Sequence, residues 1–327
     1  MKGERKLGRS GIVNALMSPE ISILIPLVVL CTYTGINKPA FLSTKNLQII
    51  VRYCAFIGAL ALGQAFVLMT GEIDLSIGTN SMMCSIVFTY LAITLQWAPW
   101  LSITCGILAG ALVGWVNSLF SFRLKLSSWI VTLSTQYICK GLATVISRGA
   151  VIHSLEGGFA TFSAARPLGM TWMLWIVFAL FVLAEIATRF TPMGRIVHAV
   201  GISSEASRIA GINVGRIKTL CMVFAGTMAG VCGILQSVST LSGSPATGIG
   251  NEFPAIICCA IGGVSTNGGK GTMLGVMIGV LMYQTLKNCL QLLGMDNNYQ
   301  LVFTGIILVL AVCFDIMKTN LRSKSLK

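Results

Sequence analysis

Residues 75–122 read LSIGTNSMMCSIVFTYLAITLQWAPWLSITCGILAGALVGWVNSLFSF and contain no Asp, Glu, Lys or Arg. One bilayer crossing takes about 20 apolar residues, so this run holds two, joined by a tight turn at Trp97-Ala98-Pro99. The apolar residues are continuous rather than alternating in ten-residue pieces. The backbone polar groups must therefore be satisfied inside helices and not in barrel strands. The rest of the 327-residue chain agrees: 55% of residues are hydrophobic and 10% charged, with a mean hydropathy of +0.83. Ordinary soluble domains carry roughly 25% charged residues. The expected fold is an all-α membrane protein, a polytopic helical bundle.

Ten crossings are predicted, over residues 21–36, 47–69, 79–96, 99–120, 128–147, 171–188, 217–240, 253–266, 272–293 and 299–317. They form one transmembrane domain, residues 21–317, between basic tails at residues 1–20 and 318–327. Cytoplasmic segments are enriched in Lys and Arg, and this fixes an expected orientation with both termini cytoplasmic. Lys2, Arg5, Lys6 and Arg9 then lie inside with Arg123, Lys125, Arg189, Arg195, Arg208, Arg216, Lys218, Lys270, Lys318, Arg322, Lys324 and Lys327. A face apposed to lipid explains the net charge of +13 without any nucleic-acid partner. The first apolar segment lacks an A-x-A cleavage site and is expected to be retained as a crossing. The 11 cysteines include no C-x-x-C pair and fall mostly in apolar segments, as small hydrophobes. His153 and His198 are too few and too separated to suggest a metal site.

No catalytic constellation is present. Gly262 to Gly271 (GGVSTNGGKG) superficially resembles a phosphate-binding loop, which needs Gly six residues before its Lys and Ser or Thr after it. Here those positions hold Val264 and Gly271, so the segment reads as a glycine-rich turn. Leu241-Ser242-Gly243-Ser244 is no nucleotide signature either. The chain is not expected to be an enzyme or to hold a cofactor, and any ATP is bound by separate subunits.

The longest polar insert is Arg189 to Lys218, with a coupling segment at residues 189–216. Ser203 or Ser204 can cap a two-turn helix whose first turn carries Glu205, and Gly211 can close it in a left-handed conformation. Ala206, Ile209 and Ala210 recur at i, i+3, i+4 and form a small apolar knob beside Arg208, with Ile202 and Ile212 outlying. So short a helix is not stable alone and needs a partner or the ends of the membrane helices.

Glu205-Ala206-Ser207-Arg208-Ile209-Ala210-Gly211 resembles the E-A-A-x-x-x-G loop of ATP-binding-cassette importer permeases, in the form used by ribose-type sugar permeases. Three further segments resemble that family in order. They are Gly71 to Gly78 (GEIDLSIG), Gly114 to Asn117 with Ile130 to Leu133, and Ala260 to Gly271 followed by Gly275 and Gly279. The resemblance implies a bacterial inner-membrane permease working with a second permease subunit, identical or related. It also implies two cytoplasmic cassette ATPases and a periplasmic solute-binding protein. It places ATPase coupling at Ser204, Glu205, Ala206, Ser207, Arg208, Ile209 and Gly211.

Glu72 and Asp74 lie between apolar segments, where ionisable groups are functional candidates; Asp74 or Ser76 can equally cap the next helix. Gln64, Asn80, Asn117, Gln236, Asn251 and Glu252 complete the candidate solute pathway, although helix-to-helix hydrogen bonding would also account for the amides. Crossings two to five and seven to ten can form inverted halves, with Gly71 to Gly78 corresponding to Gly243 to Glu252. The chain departs from the family pattern at Glu72, which stands for a glycine, and at Ser127-Ser128, which stands for a proline pair. Ser134 replaces a closing glycine. Pairing of Glu72 with Arg123 or Lys125 is one expectation. A proton- or ion-coupled secondary transporter using Glu72 or Asp74 is the alternative function.

Overall fold

The computed structural model describes residues 19–296, 298–307 and 309. Both basic tails lie outside these residues, except that Pro19 and Glu20 already belong to the first helix, and so does the end of the tenth crossing. The chain is helical nearly throughout. Its helices are α1 (Pro19–Asn37), α2 (Thr44–Met69), α3 (Ile77–Thr89), α4 (Pro99–Ser118), α5 (Ser128–Ser147) and α6 (Gly158–Ala164). Then come α7 (Trp172–Phe190), α8 (Pro192–Ile202), α9 (Ser204–Ile209), α10 (Val214–Thr240), α11 (Glu252–Ile261) and α12 (Met273–Leu292). A last helical stretch covers residues 298–307. Two-residue strands β1 (Ile152–His153) and β2 (Ser242–Gly243) pair antiparallel.

Helix ends follow local chemistry. Ser43 Oγ accepts from the Asn46 amide to start α2, Asn213 Oδ1 from Arg216 to start α10, and Thr272 Oγ1 from Gly275 to start α12. Pro99 begins α4 after Gln96 adopts a left-handed backbone, which makes the expected turn. Wider π turns prolong α3 over Tyr90–Thr94 and α4 over Leu119–Arg123.

A helix occupies each of the ten predicted crossings as far as they are described. Among the described residues, six are long and apolar enough to span a bilayer: α2, α3 and α4 with their extensions, α7, α10 and α12. The eighth predicted crossing, residues 253–266, is the short helix α11. Its ten residues rise about 15 Å, half of a hydrocarbon core about 30 Å thick. α5 is long enough, but polar residues on it keep it out of the apolar group. The sequence pattern also missed α6 and α8, short helices of 7 and 11 residues, and the β1–β2 pair, which joins two distant loops.

α10 is the axis of the bundle, packed along α2, α3 and α4. Small residues allow this. A Cβ on Gly226 would fall on the Gly110 carbonyl, and one on Gly114 would fall on the Met222 carbonyl. Close backbone approach is what brings helices together where lipid offers no hydrophobic driving force. Ser85 and Ser237 hydroxyls meet at 2.6 Å between α3 and α10.

The loops alternate between two ends. At one lie the segments carrying Arg123, Lys125, Arg189 to Lys218 and Lys270, grouped as the charge pattern anticipates. At the other lie the β1–β2 pair and the α3–α4 turn.

Gly226→Ala should lower the midpoint of thermal unfolding in detergent by the equivalent of about 1–3 kcal/mol, because the helices must separate. Gly141→Ala, in α5 with nothing within 4 Å of the added methyl, should leave it unchanged or raise it.

Candidate functional site at the helix breaks

Chain breaks on either side of the bundle axis produce the site. α2 stops at Met69, Gly71 turns the chain at φ 77°, and residues 72–76 run back into the bundle before α3 starts. On the other side α10 ends at Leu241, in a left-handed conformation, and residues 242–251 re-enter before α11 starts at Glu252. The two half-helices begin against each other. A Cβ on Gly78 would collide with Glu252 Oε2 and the Gly248 carbonyl. Only glycine there lets two positive helix ends share one carboxylate. Gly71 to Gly78 and Gly243 to Glu252 are thus matched in place as well as in order.

Asp74 is 1% exposed and organises the start of α3. Its Oδ1 accepts from the Ser76 amide at 2.8 Å and the Ser76 hydroxyl at 2.6 Å. Neither expected side-chain cap forms: Ser76 stands at the N-cap without a side-chain bond to α3, and Asp74 holds the Ser76 amide just ahead of the helix. Ser76 Oγ accepts from Asn117 Nδ2 at 3.0 Å, and Asn117 Oδ1 accepts from Thr135 Oγ1 at 2.6 Å. Three helices, α3, α4 and α5, are tied by this chain. Glu252, 2% exposed, accepts from Gln136 Nε2 of α5 at 2.9 Å through Oε1.

Asp74 Oδ2, Glu252 Oε2, Gln236 Oε1 and both polar atoms of Gln64 are buried without any protein partner. Each such atom costs about 1–3 kcal/mol or more unless something completes it. Asn80 and Asn251 do not join this group. Asn80 Nδ2 donates to the Gly110 carbonyl, as helix-to-helix hydrogen bonding. Asn251 borders a separate cavity with Tyr283, Lys287 and Gln300.

Glu72 is engaged differently from the expectation. It pairs with neither Arg123 nor Lys125 but with Lys218 of α10, Nζ to Oε1 at 2.6 Å, and Ser128 at the start of α5 donates to its Oε2. Lys218 also lies over the Phe122 ring at 5.8 Å. The two departures from the family pattern, Glu72 and Ser128, touch each other. Sequence reasoning missed Ser128, Thr135, Gln136 and Lys218. The polar stripe Ser128, Thr132, Thr135 and Gln136, at helical spacing on an otherwise apolar segment, was the available signal for α5.

The polar insert holds two helices, not one. α8 starts at Pro192 and buries Val197 and Val200. α9 starts with Ser203, whose Oγ accepts from the Ala206 amide at 3.1 Å; Ser204 instead donates to the Val200 carbonyl. Gly211 closes the segment at φ 84°. Ser207 is the residue of α9 that faces the bundle, while Glu205 and Arg208 form an exposed 3.1 Å pair. The apolar knob points outward: Ile209 is 81% exposed, and Ala206 and Ala210 are exposed beside it. Upstream, Gly201 of α8 sits where a Cβ would strike the Met69 carbonyl and the Gly269 amide. Gly269 itself donates to Met69, and Gly268 lies against Gly71. The glycine-rich segment 262–271 is accordingly a turn whose close contacts are to backbone.

A bundle with opposed half-helices, partnerless carboxylates between them and a protruding short helix at one end is the architecture of a membrane permease. A family model described as "Branched-chain amino acid transport system / permease component" matches residues 46–312. Curated relatives include the L-arabinose ABC transporter permease protein AraH of Azospirillum brasilense, 34% identical over 92% of this chain and 88% of that protein. The ribose import permease protein RbsC of Bacillus subtilis is 34% identical over 92% of this chain and 94% of its own length. RbsC of Escherichia coli K12 is 30% identical over 94% and 97%. The chain belongs to this family of ABC permeases and is of the ribose type.

Glu72→Gln and Lys218→Gln should each destabilise the purified protein by about 1–2 kcal/mol, since each leaves a part-buried group unpaired. The double variant should recover about 1 kcal/mol of the summed loss in a double-mutant cycle. Strict additivity in denaturation midpoints would show that the pair contributes nothing.

Proposed function

We propose that this chain is the membrane subunit of an importer that moves a pentose or similar hydroxyl-rich solute inward, driven by cassette ATPases docked at α9. The observation that carries this reading is the double attachment of α9. Its upstream neighbour α8 abuts Met69 and Gly269 through Gly201, and its downstream neighbour α10 grips Glu72 through Lys218. Both attachments converge on residues 69–74, the segment that leads to Asp74. Displacing α9 must therefore displace the start of α3.

The α9 end is the cytoplasmic one in this reading, because it collects Arg123, Lys125, Arg189, Arg195, Arg208, Arg216, Lys218 and Lys270. The exposed knob of Ala206, Ile209 and Ala210 suits a groove on an ATPase surface. ATP binding there closes the ATPase pair and pushes α9, and residues 69–76 transmit the push. At mid-depth, the partnerless oxygens of Asp74, Glu252 and Gln236 and the amide of Gln64 hydrogen-bond water or sugar hydroxyls in transit. α5 exposes Ser134, Tyr137, Lys140 and Thr144 among apolar residues. That mixed face suits a second permease subunit with the pathway between them, and a secreted binding protein delivers solute to the far end. Sugar as the substrate class rests on the ribose and arabinose relatives. The proton-coupled alternative loses Glu72, which Lys218 and Ser128 hold, and retains only Asp74.

Glu205→Lys and Ile209→Asp should cut solute uptake about tenfold or more in vesicles containing ATPase and binding protein. ATP hydrolysis should continue, and the permease should elute normally on size exclusion. Normal uptake with an unchanged ATPase rate would show that α9 is not the coupling element. Uptake by the chain alone, driven by a pH gradient, would establish the secondary-transport alternative.

A further inference from the structure

A cavity of about 640 Å³ opens between the end of α4 and the start of α10, lined by Trp115, Ser118, Phe122, Arg123, Arg216 and Thr219. Neither arginine belongs to an ion pair among the described residues, where the pairs are Arg208–Glu205 and Lys218–Glu72. The acids at this end whose side chains are described are engaged elsewhere. Glu72 is held by Lys218 and Ser128, Glu205 by Arg208, and Glu185 accepts from the Met273 and Leu274 amides at the start of α12. The cavity therefore carries two uncompensated guanidinium groups beside the Thr219 hydroxyl.

Its layering is amphiphilic. Arg123 ends the α4 extension and Arg216 lies in the first turn of α10, whereas Trp115 and the exposed Leu220 sit one to two turns further into the bundle. Charge at the rim with an aromatic and aliphatic wall beneath is the arrangement of a membrane interface.

We propose that this cavity binds the headgroup of an anionic phospholipid from the leaflet at the α9 end. Two forked guanidinium groups match phosphate oxygens bidentately, and Thr219 supplies a further donor. Basic pockets between membrane helices at the cytoplasmic side favour such headgroups. A zwitterionic headgroup brings its own ammonium into a site that already carries two positive charges, so net-negative lipids are preferred. Acyl chains continue along Trp115 and Leu220. Asn213, whose side chain caps α10 directly after α9, also borders the cavity. An occupant there braces the hinge between α9 and the bundle.

The test is native mass spectrometry of the full chain released from nanodiscs of equimolar phosphatidylcholine and phosphatidylglycerol. The wild type should retain phosphatidylglycerol over phosphatidylcholine. Arg123→Gln/Arg216→Gln should reduce that preference roughly tenfold, from two lost surface cations. Arg189→Gln/Arg195→Gln, which removes the same charge at the same end outside the cavity, should keep it. Arg123→Lys/Arg216→Lys, which retains charge without the fork, should fall between them and guards against misfolding of the glutamine variant. Inorganic phosphate should not displace the lipid, because it lacks the chains that meet the apolar wall. Equal retention of the two lipids, equal retention by both glutamine variants, or displacement by phosphate would overturn the proposal. Loss of the preference when the ATPase subunits bind would overturn it too, by giving the arginines to a protein partner.

Discussion

The meeting of two helix N-termini inside the bundle is the constraint on which the rest depends. Helices cannot simply stop in hydrocarbon, because the first amides of each are left without partners. Here α3 and α11 stop together. Gly78 leaves room for the Glu252 carboxylate, which faces one positive helix end while beginning the other, and Asp74 accepts the Ser76 amide as α3 starts. A larger residue at Gly78 would separate the half-helices and leave both ends to hydrocarbon. Their glycine-lined packing against α10 follows from the same need for close backbone approach.

That arrangement also gives the chain something to move. Segments 70–76 and 242–251 hold little regular structure, so they can shift without breaking helix hydrogen bonds, while α10 remains a continuous rod of 27 residues. The loop at Met69 to Asp74 is held at its outer end by backbone contact with Gly201 and Gly269 and by the Glu72–Lys218 pair. Its inner end is held by the chain Asp74–Ser76–Asn117–Thr135. The loop therefore links α8 and α10 to α3 and α5 by direct contacts. Glu72 and Ser128 meet at one of these attachments.

Much of this was legible in the chain. Charge-free runs set the fold class, and Ser203 and Gly211 bracket α9. The grouping of basic segments at one end follows from counting crossings. What was not legible depends on distant contacts. Nothing local says that Lys218 rather than Arg123 or Lys125 meets Glu72, since the choice is made by the packing of α10 on α4. α8 hides because its buried face is only Gly194, Val197 and Val200. The shortness of α11 was legible, because the polar, glycine-rich segment from Gly262 to Gly271 follows it directly. Asn80 and Asn251 looked like pathway residues by type and depth, and only the direction each side chain takes separates them from Asp74 and Glu252.

Hydrogen exchange of residues 67–76 in the assembled transporter, with and without ATP, measures the central claim directly. If α9 acts on the helix break, ATP should change exchange at the Gly71 and Glu72 amides, which bond back to Leu68 and Val67. That change should vanish in Glu205→Lys while exchange in α12 stays constant. A nucleotide response confined to α9, with residues 67–76 unaffected, would contradict the account.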